Sequence, residues 1–122
     1  MKLTAQAAGT FAIAPTPFHD DGRIDEASID RLTDFYTEVG CDGVTVLGIL
    51  GEAPKLDAAE AEQVALRFVK RAKKLQVIVG VSAPGFATMR SLARKSMDAG
   101  AAGVMIAPPP HLRTDDQIIG YF

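Results

Sequence analysis

The sequence has little that could staple, anchor or metallate it. It has one cysteine, Cys41, and no tryptophan. A single thiol makes no intramolecular disulfide, which suits a reducing compartment. Cys41 stands in a Gly-Cys-Asp-Gly turn with no basic neighbour to lower its pKa, and so reads as an inert thiol. No run approaches the ~20 apolar residues needed to cross a bilayer. Met1 to Gln6 lacks the basic-then-apolar pattern of a signal peptide, so a cytoplasmic location is expected. The two histidines, His19 and His111, show no metal-ligand spacing, and no metal is expected. Ser28, Ser82, Ser91 and Ser96 lack a nucleophile-elbow context. Neither GxGxxG nor a Gly-Lys-Ser/Thr phosphate cradle occurs. Charge is nearly balanced, 13 basic against 15 acidic residues, net -2, so neither a nucleic acid nor an anionic membrane is an expected partner. The one basic cluster, Lys70, Arg71, Lys73 and Lys74, reads as the last turn of a helix, where cations suit the negative end of the dipole.

What is present is alternation of strand and helix over 122 residues, enough for one domain. Thr10–Ala14, Val44–Leu47, Val77–Val81 and Val104–Ala107 are short, apolar strand candidates. Between them lie amphipathic helices. Asp25 caps the first, which ends at Gly40 and places Ile29, Leu32, Tyr36 and Val39 on one face. Asp57 with Glu60 forms a capping box for the second, whose buried stripe is Val64, Phe68, Ala72 and Leu75. The third spans about Ala87 to Ala99, with Met89, Ala93, Ser96 and Met97 inward. Thr114 with Gln117 opens a fourth. Gly40-Cys41-Asp42-Gly43-Val44 resembles Gly100-Ala101-Ala102-Gly103-Val104, a weak repeat of two βα pairs.

Helical crossovers imply a parallel sheet. Alternation alone leaves two architectures open: a doubly wound sheet, or half of a (β/α)₈ barrel, which usually needs about 250 residues. In both, functional loops lie at the C-terminal strand ends. These are Pro15–Asp25, Gly48–Leu56, Ser82–Phe86 and Pro108–Thr114. In the second, two glycines around Ile49 and Leu50 allow close backbone approach, and the amides there could bind a small anion such as a carboxylate. The turn could equally be one that merely needs permissive residues. Glu52 is either an acid or base or, the favoured reading, an ion-pair partner that shapes the loop. These observations point to a small-anion site near Gly48–Glu52 but give no reaction.

Several segments together resemble one family. Ala14-Pro15-Thr16-Pro17-Phe18, Asp21-Gly22-Arg23-Ile24-Asp25, the run Gly40 to Gly48 leading into Gly51-Glu52-Ala53, Val79-Gly80-Val81, Ala99 to Val104 and Pro108-Pro109 follow the order and spacing of the dihydrodipicolinate synthase / N-acetylneuraminate lyase family. The resemblance implies a (β/α)₈ barrel, with residues 1–122 as the N-terminal half of a single domain holding the first four βα units, strands parallel in order 1-2-3-4. It implies a cytoplasmic lyase, an aldolase or dehydratase, that joins a 2-oxo acid such as pyruvate to a lysine as a Schiff base, with no cofactor, in a dimer or tetramer. The family's lysine and proton-shuttling tyrosine would both fall after Phe122, so no catalytic residue is expected here, and the segment alone is expected to be inactive. What remains is carboxylate binding by the backbone amides of Ile49 and Leu50. The family loop commonly reads Gly-Thr-Thr-Gly-Glu. Ile49 and Leu50 replace both threonines, which removes any hydroxyl relay, and Pro108-Pro109-Pro110-His111 replaces a tyrosine-bearing loop. These departures point to a member with another 2-oxo acid substrate. The alternative is a non-catalytic half-barrel that serves as a scaffold or assembly module. A half barrel would leave two open edges and an uncovered inner face, with Phe11, Ile13, Val79 and Met105 meeting solvent in places.

Overall fold

Three of the four α-helices start at a side-chain cap that the sequence supplies. The computed structural model describes residues 2–122. Along it run β1 (Phe11–Ile13), α1 (Glu26–Glu38), β2 (Gly43–Val46), a 3-10 turn (Ala53–Lys55), α2 (Ala58–Arg71), β3 (Gln76–Gly80), α3 (Phe86–Asp98), β4 (Gly103–Met105) and α4 (Asp115–Tyr121). Asp25 caps α1, its carboxylate accepting from the Ser28 amide at 2.9 Å. The capping box of α2 is complete: the Glu60 amide donates to Asp57 at 2.8 Å and the Asp57 amide to Glu60 at 2.9 Å. Thr114 and Gln117 do the same for α4.

The repeat is structural. At the end of α1, Gly40 has φ 82°; its amide donates to Thr37 and that of Cys41 to Tyr36. At the end of α3, Gly100 has φ 109°, with the same bonds to Met97 and Ser96. Both are Schellman closures. Each delivers the chain straight into a strand.

The four strands are parallel in order 1-2-3-4. That order excludes the doubly wound alternative and is that of the first four strands of a (β/α)₈ barrel. Register sorts the residues by face. Val44 pairs with Val77, and Val46 with Val79. These four meet Ile29, Val64, Ala65, Phe68 and Leu92 of the helices in one buried core. Burying each large apolar side chain there contributes roughly 1.5–3 kcal/mol before entropy is counted. The helices are also tied to one another outside the core. Arg67 of α2 grips Asp30 of α1 with two bonds, 2.7 and 2.6 Å, and reaches Glu26 at 3.2 Å. Arg71 grips Asp34, and Lys95 of α3 meets Glu62 at 2.6 Å.

The opposite face carries Phe11, Ile13, Thr45, Ile78 and Met105. Ile13 and Met105 are about half exposed. Phe11 is half-buried, lying across Gly43. Val79 is completely buried, against expectation, because the pleat turns it toward the helices. Two other helix positions differ. Val39 is exposed because it caps α1 beyond its last full turn, and Thr33 is buried instead, its hydroxyl bonded to the Ile29 carbonyl at 2.8 Å. Leu92, absent from the expected stripe of α3, is buried beside Met89 and Ser96.

Candidate active site

The sharpest turn in the chain follows β2. Leu47 and Glu52 both adopt the left-handed conformation, φ 57° and 54°, without being glycine. Such residues cost about 1–3 kcal/mol and persist where their surroundings fix them. Here the fixing groups are identifiable. A Cβ on Gly80 of β3 would stand 2.3 Å from the Leu47 carbonyl oxygen, so only glycine lets that carbonyl in. A Cβ on Gly51 would stand 3.0 Å from the Leu47 nitrogen, so the turn folds tightly back on itself. Thr16, buried in the loop after β1, donates its hydroxyl to the Gly51 carbonyl at 2.6 Å. The Glu52 amide closes the turn on the Ile49 carbonyl at 3.0 Å.

Four amides of this turn, those of Gly48, Ile49, Leu50 and Gly51, hold no protein acceptor among the described residues, and two of the four, those of Ile49 and Leu50, belong to exposed residues. The side chains of Ile49 and Leu50 are 97% and 55% exposed, so neither residue is chosen by the core. Glu52 forms an ion pair with Lys55 at 3.2 Å, the favoured reading of that carboxylate.

The neighbouring loops are ordered around the same end of the sheet. After β1, Phe18 bridges Ile24 in antiparallel fashion, and the His19 amide donates to Arg23 at 2.7 Å. His19 is exposed on this small hairpin. Arg23 donates to Asp21 and holds its carboxyl below the usual range. Hydrogen bonds from Ser28 do the same for Asp25. After β3, the Ser82 hydroxyl accepts from the Ala107 amide at 2.8 Å, which ties the ends of β3 and β4 together. Pro108 to Pro110 follow, then an exposed His111.

Among the described residues no strand carries a lysine. Lys55 lies in the 3-10 turn and Lys70 in the last turn of α2. Tyr36 is on α1, where burial pushes its phenol up, and Tyr121 of α4 donates to the Met89 sulfur at 3.4 Å. Among the described residues no three His, Cys, Asp or Glu side chains gather as a metal would need. Nor, among them, is any helix long and apolar enough to cross a membrane. Among the described residues the arrangement offers hydrogen-bond donors to an anion, but no amine on a strand.

The turn is legible in the sequence, but its supports, Thr16 and Gly80, are not singled out there. Gly80 was the readable one, since glycine inside a β-branched strand signals close backbone approach.

The profile of the Dihydrodipicolinate synthetase family matches residues 6–121. A crystal structure of dihydrodipicolinate synthase from Rhodopseudomonas palustris is 83% identical, with a TM-score of 0.94 over 99% of this chain and 40% of that one. A 4-hydroxy-tetrahydrodipicolinate synthase from Acidiphilium cryptum is 32% identical over 116 residues, 93% of this chain and 40% of that protein. YagE, a prophage protein of that family from E. coli K12 solved in complex with pyruvate, is 25% identical, with a TM-score of 0.84 over 92% of this chain and 38% of its own. The chain spans about 40% of the length of the relatives it matches. It belongs to the dihydrodipicolinate synthetase family.

Proposed function

We propose that residues 1–122 are the N-terminal half of one (β/α)₈ domain in an aldolase-type lyase, cytoplasmic and homo-oligomeric, that acts on a 2-oxo acid such as pyruvate. The amides of Ile49 and Leu50 hold the substrate carboxylate. The nucleophile is a lysine outside these residues. Its neutral amine adds to the oxo carbon, water leaves, and the protonated Schiff base draws electrons from C3, so that a carbon–carbon bond there can form or break. The chemistry needs no metal and no organic cofactor.

The observation that carries this reading is the pair of unengaged amides on exposed residues of the Gly48–Glu52 turn, at the C-terminal end of a barrel strand. Barrel enzymes work at that end. Two N–H donors suit two carboxylate oxygens, and bonds to a charged acceptor are roughly twice as strong as neutral ones. The pyruvate held by YagE supports the substrate class.

The test joins residues 1–122 to the remainder of the Rhodopseudomonas palustris relative, a graft that 83% identity makes conservative. Incubated with pyruvate and borohydride, the joined barrel gains one reduced adduct, at a lysine beyond position 122. No adduct with any 2-oxo acid, from a folded protein, contradicts the proposal.

A further inference from the structure

We propose that Ile49 and Leu50 select an apolar aldehyde as the carbon–carbon bond partner of the bound 2-oxo acid. This inference rests on the reading above, and deepens it. These two residues, whose amides face no protein acceptor, also carry the two exposed branched side chains of the turn. The next groups around it are apolar as well. The methyl of Met105 lies 4.0 Å from where a Gly48 Cβ would be, and Ile13, 49% exposed, is on the same sheet face at the end of the flanking β1.

Three polar side chains of these loops already hold one partner each. The Thr16 hydroxyl is bonded to Gly51, that of Ser82 accepts from Ala107, and Glu52 is paired with Lys55. Thr45, the hydroxyl of the same sheet face, is buried down the strand. A substrate hydroxyl or ammonium placed against the Ile49 and Leu50 side chains would lose water and gain no partner from them. Such unpaired desolvation is the strongest discriminator that a site has. An alkyl or aryl group would instead cover exposed apolar surface.

The step is redox-neutral. C3 of the lysine-bound pyruvate gives up a proton to become an enamine. Its electron pair forms the bond to the aldehyde carbon, and the aldehyde oxygen takes a proton. Water then releases a 4-hydroxy-2-oxo acid and frees the amine.

The test uses the joined barrel with pyruvate and two aldehydes of similar size, isovaleraldehyde and glyceraldehyde. Borohydride trapping of pyruvate is measured first, so that the two levels of the argument separate. With trapping present, isovaleraldehyde is expected to exceed glyceraldehyde in kcat/KM by about tenfold or more. Ile49→Thr with Leu50→Thr is expected to narrow or invert that ratio, whatever it does to the extent of pyruvate trapping. Trapping with equal use of both aldehydes, or preference for glyceraldehyde, overturns this inference alone. So does a ratio that the double substitution leaves unchanged. Absence of trapping overturns the reading beneath it, and this inference with it.

Discussion

Thr16 and Gly80 hold the candidate site more than any group within it. Thr16→Val removes the hydroxyl that satisfies the Gly51 carbonyl and leaves that buried oxygen bare. Such a loss costs about 1–3 kcal/mol, and denaturant unfolding should show it. Gly80→Ala drives a methyl toward the Leu47 carbonyl, 2.3 Å away, and neither backbone can yield without shifting a strand. A loss of about 1–3 kcal/mol is expected. Ser96 is the opposite case. Its hydroxyl is fully buried, without a hydrogen-bond partner. Ser96→Ala should therefore be neutral or stabilising by up to about 1 kcal/mol. A clear loss in a melt would mean that the hydroxyl has an acceptor. At this scale the sequence was partly legible. Ile49 and Leu50 stood out between glycines, whereas the tie from Thr16 spans 35 residues and has no local signature.

At the scale of elements, capping chemistry made α1, α2 and α4 readable to within a residue at their starts. Gly85 gives α3 no side-chain cap, and the reading of its inner face was correspondingly less complete. The ion-pair ladder between helices was invisible, because Asp30 and Arg67 are brought together only by the crossing of α1 and α2. That ladder makes a pH prediction. Hydrogen bonds from Arg67 hold the Asp30 carboxyl below its usual range, and Arg71 does so for Asp34. A carboxyl depressed in the folded state contributes stability that is present above its unfolded value, about 3.9, and is lost as pH falls through the folded value. Asp30→Asn should therefore destabilise at pH 7 and converge on the parent as acid protonates the parent's Asp30. Both are exposed enough that salt should weaken the effect as well. A penalty as large in strong acid as at pH 7 would show that the pair is not its origin.

At the scale of the molecule, two edge strands and one partly bare sheet face remain. β1 and β4 each pair on one side within the described residues, and Ile13, Met105 and Ile106 are exposed near them. Open edges beside apolar surface promote association. The 122-residue chain alone should therefore scatter light as oligomers or aggregates and melt without a sharp transition; a monomer with a cooperative calorimetric peak would refute this. Lacking a strand lysine, the same chain should also gain no adduct from pyruvate and borohydride. Trapping on Lys55 would move the chemistry into this half. The central claim is that these residues supply the carboxylate wall of the site. The most direct measurement is an amide ¹⁵N spectrum of the joined barrel, titrated with pyruvate in a variant whose trapping lysine is replaced. The amides of Ile49 and Leu50 should shift first and furthest, with the rest of residues 1–122 nearly still. Saturable binding that leaves those two amides unmoved would contradict it.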